Sequence, residues 1–381
     1  MLFSAPQIDL EDAELLEGIH LRRERLAQHL RIPRRWSGNL RRNLMAKAIQ
    51  GSNSIEGYLV ETDDAAAAFD GQEPLSADAR TFAEIRGYRQ ALGYVLTLAS
   101  TGSRPDLSTV LALHFMMLGH DLTKSPGELR AGDIYVRNEQ TRRTVYAGPD
   151  ADLLPDLLSA FIESLDDDLD PLVHGAMVHL NFVMIHPFRD GNGRMARALQ
   201  TLVLGREGIG EPAFSSVEEW LGANTADYYR ALEHAGAGAW NPDRDTTLWI
   251  KFMLRAHHMQ SQTVERRMRR SELLWEQIEA ELSARGLPDR AFDALFDATL
   301  GYRIRRASYR AQADVQDQTA TRDLKALAGA GLLLPHGEKR GRHYTAGPRL
   351  LEIRRSVTAA VDVPVTEPYV NFRMRLAADV V

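Results

Sequence analysis

Residues 186–197 read HPFRDGNGRMAR and bring together a base, a hard oxygen ligand, an anion cradle and two guanidinium groups. His186 is expected at the end of a helix, and Pro187 restrains it away from the αR region, so its imidazole projects from a fixed turn. Its ordinary pKa lies near working pH, as a proton acceptor requires. Phe188 can anchor the loop in a core. Asp190 is the kind of ligand that Mg²⁺ takes when the ion also holds phosphates. Gly191, Asn192 and Gly193 open a helix, and because the two glycines lack a Cβ, main-chain N–H groups there can approach an anion closely. Arg194 and Arg197 share a helix face, spaced to hold a polyphosphate by charge-assisted hydrogen bonds.

The elements that must position these residues are mostly helices. Pro171 suits a first helical position, and Leu172, Ala176, Leu180 and Met184 continue a helix that runs into the motif. His179, seven residues before His186, lacks ligand spacing and reads as structural. After the motif, ARALQTLVLGREG reads as a helix with a glycine stop, followed by helices over 216–235 and 245–270. Upstream, 107–118 is an amphipathic helix ended by Gly119 and the turn-rich DLTKSPGE. Residues 133–147 read as a two-stranded flap and 151–165 as a further helix. From Leu10 to Ala99 the pattern is helical, and the arginines crowding 22–42 read as a solvated helix face rather than a binding patch.

A break at 286–289 precedes short helices at 291–300 and 307–315, a helix from Thr319 to Ala330, and a strand, turn and strand. That order is expected of a winged helix domain. Its recognition helix would expose Arg322 and Lys325 and its wing would offer Lys339, Arg340 and Arg342 to phosphate, with Asp314, Asp317 and Asp323 partly cancelling the charge. The fold class is therefore mainly α, with a β-hairpin flap and a C-terminal winged helix. The expected divisions are an N-terminal helical region (1–100), a core (101–270), the winged helix (285–347) and a tail (348–381), aperiodic over 351–381.

Composition sets outer bounds. The 381 residues are 44% hydrophobic and 26% charged, ordinary for a globular protein, and a net charge of -6 argues against wholesale binding to nucleic acid or membrane. With no cysteine, disulfides and thiolate metal sites are excluded, which fits a reducing cytoplasm. The N-terminus lacks a basic segment followed by an apolar one, and no run of about 18 apolar residues occurs, so the chain is expected to be untargeted, soluble and cytoplasmic. Five lysines accompany 41 arginines, which suggests a GC-rich bacterial coding sequence.

With every specified position filled, HPFRDGNGRMAR resembles the signature of the Fic family, HxFx(D/E)GNGRxxR. The wider likeness covers residues 100–255 and includes the hairpin, the helix before the motif and NTADYYRAL downstream. What the resemblance implies is a Fic-type helical core and a protein adenylyltransferase. His186 would accept the proton of a target Ser, Thr or Tyr hydroxyl as it attacks the α-phosphorus of ATP. Asp190 would bind Mg²⁺, the Gly191 to Gly193 amides would stabilise phosphate oxygens, and Arg194 and Arg197 would hold the β and γ phosphates. Tyr228 falls at the position that the family uses beside adenine, with Asn224 and Tyr229 nearby; the two tyrosines equally fit a core and a rim aromatic of one helix. A further base-contacting asparagine of the family is matched here by Gly236, which leaves a nucleotide donor other than ATP open.

Upstream, GSNSIEG fits the pattern (S/T)xxxE(G/N) through Ser52, Glu56 and Gly57. In the family such a glutamate lies on an inhibitory helix and pairs with the second motif arginine, here Arg197, competing with the γ-phosphate for the same donors. The resemblance thus implies an enzyme restrained by Glu56. It leaves open the reverse reaction, removal of AMP, at the same site. A regulator that binds DNA through the winged helix is the reading from another class. The implied partners are ATP and a hydroxyl-bearing target, another protein or the chain itself, with association into homo-oligomers open and no membrane partner.

Overall fold

The computed structural model describes residues 1–31, 34–137, 144–207, 216–338 and 341–378. It is mainly helical, and the described strands are all short. The chain forms two units: Met1–Gln28, Met45–Ser261 and Thr366–Val381 make up one, His29–Leu44 and Gln262–Val365 the other.

The early helices are α1 (Leu10–Arg31), α2 (Ser37–Ile55), α3 (Thr62–Phe69), α4 (Ala79–Thr101) and α5 (Leu107–Leu118). They are followed by α6 (Leu154–Ser164), α7 (Pro171–Ile185), α8 (Asn192–Arg206), α9 (Glu218–Ala223), α10 (Thr225–Gly236) and the long α11 (Thr247–Ala284). Local chemistry sets many of the ends. The Asp78 carboxylate accepts from Thr81 N at the start of α4, Asp106 and Thr109 form a capping box on α5, and Asp170 accepts from Leu172 N with Pro171 in the first turn of α7.

Because α7 is apolar nearly all round, it is buried nearly all round and forms the centre of the first unit. It packs on α8, and α8 packs on α4. Phe161, Phe182, Phe188, Leu113, Leu199 and Leu202 fill one core cluster. Tyr228, Trp249, Phe252, Met177 and Leu180 belong to another.

The flap departs from a simple hairpin. Strands β1 (Tyr135–Arg137) and β2 (Thr144–Ala147) pair antiparallel, with Val136 opposite Tyr146. A third strand, β3 (Gly238–Ala239), pairs parallel to β2, so the sheet has three strands where the sequence predicts two. This strand is short because the chain leaves α10 through left-handed Ala237 and Gly238 and touches the sheet only briefly. The hairpin tip, 138–143, lies outside the described residues.

In the second unit, α12 (Phe292–Leu300) leads to β4 (Ile304–Arg305), α13 (Arg306–Ala313), α14 (Asp317–Gly329), β5 (Leu333–His336), β6 (His343–Ala346) and α15 (Pro348–Ala360). The strands form one antiparallel sheet in the order β4, β6, β5. Residues 348–360, expected in an aperiodic tail, are helical and bury Leu350, Ile353 and Val357, a spacing of three and four that the short apolar run disguised. Beyond them, α16 (Phe372–Ala378) belongs to the first unit and buries Phe372 and Leu376. Lys339 and Arg340 of the expected wing lie outside the described residues.

The arginine cluster at 22–42 is not a simple solvated face. Arg23 is buried with NH2 2.7 Å from His257 Nδ1, while Arg35 and Arg42 of the second unit pair with Asp289 and Asp297 at 2.6 and 2.7 Å. The partners lie far along the chain, a histidine for Arg23 and carboxylates for Arg35 and Arg42, which local patterning cannot show. Among the described residues no helix is long and apolar enough to cross a membrane.

Candidate active site

The motif sits where α7 ends, turns and restarts as α8. His186 is the C-cap of α7 with φ 50°, its N–H donating to Phe182 O at 3.1 Å. The ring Nδ1–H donates to Val183 O at 3.0 Å, which leaves Nε2 with its lone pair. Burial lowers the His186 pKa, against the raising effect of the Val183 carbonyl, so the neutral form is favoured near pH 7.

Arg130, which sequence reasoning passes over, fastens this turn. Its Nε donates to His186 O at 2.9 Å, its NH1 to Gly132 O at 2.7 Å and its main-chain N–H to Pro187 O at 3.0 Å. His114 braces the other side, stacked on Phe188 with ring centroids 3.7 Å apart. Its Nδ1 accepts from Gly127 N at 2.8 Å, so Nε2 carries the proton donated to Asp190 O at 3.0 Å. Burial lowers the His114 pKa to about 4 and keeps that tautomer neutral.

Turn chemistry narrows the anion cradle. Gly191 caps α8 with φ 79°, but its N–H is taken by Asp190 Oδ1 at 2.6 Å. The Asn192 side chain is buried and bridges both main-chain groups of Phe188, at 3.0 and 2.8 Å, so it ties the loop rather than facing a ligand. The cradle is therefore the first-turn N–H groups of Asn192, Gly193 and Arg194, which have no intrahelical acceptor.

The two motif arginines go to different partners. Arg194 is 1% exposed and donates through NH1 to Glu84 Oε2 at 2.6 Å, so a carboxylate of α4 already holds the guanidinium that the sequence assigns to phosphate. Glu84 also takes Lys124 Nζ at 2.6 Å. Burial alone would raise the Glu84 pKa, but Arg194 and Lys124 bring it down to about 2. Lys124 reaches on to Asp190 Oδ2 at 2.9 Å. Asp190 is partly exposed, and despite its desolvation Lys124 holds its pKa below the usual value.

Arg197 is equally buried but shared. Its Nε donates to Ser52 Oγ at 2.8 Å, and its NH2 to Ser52 O at 3.0 Å and Glu56 Oε1 at 2.7 Å; NH1 has no hydrogen-bond acceptor. Ser52 lies in the last turns of α2, Glu56 just beyond its end, and Gly57 turns the chain away with φ 82°. A Cβ at Gly193 would stand 2.7 Å from Glu56 Oε1, so only glycine lets the carboxylate lie against the start of α8. Burial opposes the Arg197 charge, but Glu56 raises its pKa.

The residues expected around adenine differ in burial, and both tyrosines lie within electrostatic reach of Arg197. Tyr228 is 1% exposed in the core, its OH 3.0 Å from His179 Nε2, and burial raises its pKa to about 12. His179 is likewise a core residue, with Nδ1 2.7 Å from Gln200 Oε1. Asn224 holds Trp220 O at 2.8 Å and Arg373 at 3.0 Å. Tyr229 is half exposed and donates to Ile55 O at 3.1 Å, touching the segment that carries Glu56. At Gly236 a Cβ would meet the Tyr146 ring at 2.9 Å, so no asparagine fits there. Tyr228 is buried because α10 turns its apolar face into the core, and that face includes Tyr228.

Residues 104–204 match the Fic/DOC family model. The chain is 26% identical over 242 residues to protein adenylyltransferase fic-1 of Caenorhabditis briggsae, covering 62% of this chain and 45% of that protein. It is 28% identical over 269 residues to protein adenylyltransferase Fic of Nematostella vectensis, covering 66% and 55%. The chain thus spans about half the length of these relatives, and they are animal proteins, which lends no support to the bacterial source that the arginine bias suggests. A Fic family protein from Desulfovibrio desulfuricans G20 shares the fold, with a TM-score of 0.57 at 23% identity, covering 90% of this chain and 98% of that one. The motif and the helices that position it, α7 and α8, thus lie almost wholly within the residues that match the Fic/DOC family model.

Proposed function

We propose that the protein is an adenylyltransferase that moves AMP from ATP to a protein hydroxyl and is restrained by Glu56. The observation that carries this is Arg197, a buried guanidinium in the first turns of α8, bound 2.7 Å away by the carboxylate of Glu56, which lies against Gly193 at the start of that helix. His186 Nε2 takes the hydroxyl proton as the oxygen bonds to the α-phosphorus and the α–β bridging bond breaks, releasing pyrophosphate. Arg130 fixes the turn from which His186 acts. The first-turn N–H groups of α8 receive the phosphate oxygens, and the Arg197 donors now on Glu56 pass to the terminal phosphate. Asp190 fits Mg²⁺, because it is a partly exposed carboxylate beside the cradle that already holds one cation, Lys124. When bound, that ion neutralises phosphate charge. The target segment adds to the edge strand β1, where main-chain groups supply the pairing. In the second unit, the order of β4, α13, α14 and the β5–β6 hairpin supports a winged helix reading.

The test is label transfer. Wild type, Glu56→Gly and His186→Ala are incubated with Mg²⁺ and each labelled nucleoside triphosphate. Label from ATP should be weak on wild type, strong on Glu56→Gly and absent from His186→Ala. Equal labelling of the first two would sink the restraint, and label only from another triphosphate would reassign the donor. Loss of label from a labelled protein on adding wild type would assign the reverse reaction instead.

A further inference from the structure

Lys124 closes a three-residue turn after α5 and is buried to 11% exposure of its side chain. All its donors are engaged: Glu84 Oε1 at 2.6 Å, Asp190 Oδ2 at 2.9 Å and Tyr58 OH at 3.2 Å. Asp190 therefore has both oxygens occupied, since Oδ1 accepts from Gly191 N. The two partners differ in kind. Gly191 N belongs to the neighbouring peptide and is fixed by the left-handed turn, whereas Lys124 is a flexible side chain with a second carboxylate to rest on.

We propose that Lys124 is a positioning residue that occupies Asp190 as a tethered cation and cedes Oδ2 to a divalent cation, remaining on Glu84 and Tyr58 when it does. The inference rests on the reading of Asp190 as a metal-binding carboxylate. Exchange of this kind costs little inside the network, because neither Lys124 nor Glu84 loses its last partner: Glu84 keeps Arg194 as well. It also explains why a lysine enters a site that must accept a metal. With no cation beside it, Asp190 would lie unpaired near the turn; with Lys124 it is paired and aimed before nucleotide arrives. The consequence is a raised threshold for metal, which can be read without turnover.

Mn²⁺ alone is titrated into nucleotide-free protein and free Mn²⁺ is followed by its electron paramagnetic resonance signal. Lys124→Met should bind Mn²⁺ roughly tenfold more tightly than wild type, because an opposing cation within contact distance has gone. Lys124→Gln, which keeps a donor to Glu84 without charge, should match it, and Lys124→Arg should stay close to wild type. Asp190→Asn should lose the site. Affinity unchanged or weakened in both neutral variants, with thermal unfolding intact, overturns the role of Lys124 while leaving Asp190 as a ligand. Titrations that are alike in all variants, Asp190→Asn included, overturn the metal reading and this inference with it.

Discussion

Arg194 and Arg197 stand one turn apart on α8, each 1% exposed and each bound to a carboxylate at 2.6 or 2.7 Å. Their partners make them different devices. Glu84 is itself 1% exposed, sits inside α4 and carries Lys124 as well, so its ion pair is part of the packed interior. Glu56 is 22% exposed, follows the end of α2 and is held from one side. A buried pair on a continuous helix cannot open without leaving charge in the interior, whereas a partly exposed carboxylate just past a helix end can swing into water. The same residue type, spacing and partner chemistry therefore give a lock in one case and a releasable contact in the other.

The sharpest way to break that comparison is to remove each carboxylate in turn and measure unfolding. Glu84→Ala strands the buried Arg194, leaves Lys124 on Asp190 and Tyr58, and should destabilise the protein by about 3–5 kcal/mol in denaturant melts. Glu56→Ala should cost far less, because Ser52 still holds Arg197 and the vacated position is open to water. Equal losses for the two would show that exposure does not separate them.

Ser52→Ala tests the shared side of Arg197. It removes the Oγ acceptor of Nε but not the Ser52 carbonyl or Glu56, so the expected cost is about 1–2 kcal/mol. Because Arg197 is then less well aimed at Glu56, ATP-dependent labelling should rise above wild type but stay below Glu56→Gly. No rise would mean that Ser52 only supports packing.

How much of this was legible follows from sequence distance. The His186 turn, the α7 and α8 boundaries and the strand pattern near 135–147 arise from local signals such as Pro171, Asp170 and the glycines around Asn192. The partners of the motif do not. Glu84 lies 110 residues from Arg194, and nothing near AEIRGYR distinguishes it from a solvated helix carboxylate. Lys124 and Arg130 lie in a turn-rich stretch where charged residues are ordinary, and His114 shows only as a lone histidine on an apolar helix. Only the family resemblance connects Glu56 to Arg197 in the sequence. Tyr228 belongs to both readings of its position: the apolar stripe of α10, visible in its own spacing, buries it in the core, within reach of Arg197.

Glu218 supplies the control that the two arginines lack, a buried carboxyl with no cation paired to it among the described residues. It is 2% exposed on α9, meets Tyr88 OH and Ser216 Oγ, and hydrogen-bonds with the Ser52 side chain that also receives Arg197. Burial therefore raises its pKa to about 8, whereas Glu84, equally buried but paired, lies near 2. Between the ordinary value of 4.5 and about 8 the native chain holds a proton that the unfolded chain has lost, so this contribution to stability falls as pH rises through that window. Glu218→Gln, which keeps the shape of a neutral acid, should change stability by less than about 1 kcal/mol near pH 6 and should flatten the decline from pH 6 to pH 9 in thermal melts. An unchanged decline would mean that Glu218 is already ionised in the native chain and that burial without a cation does not set its charge here.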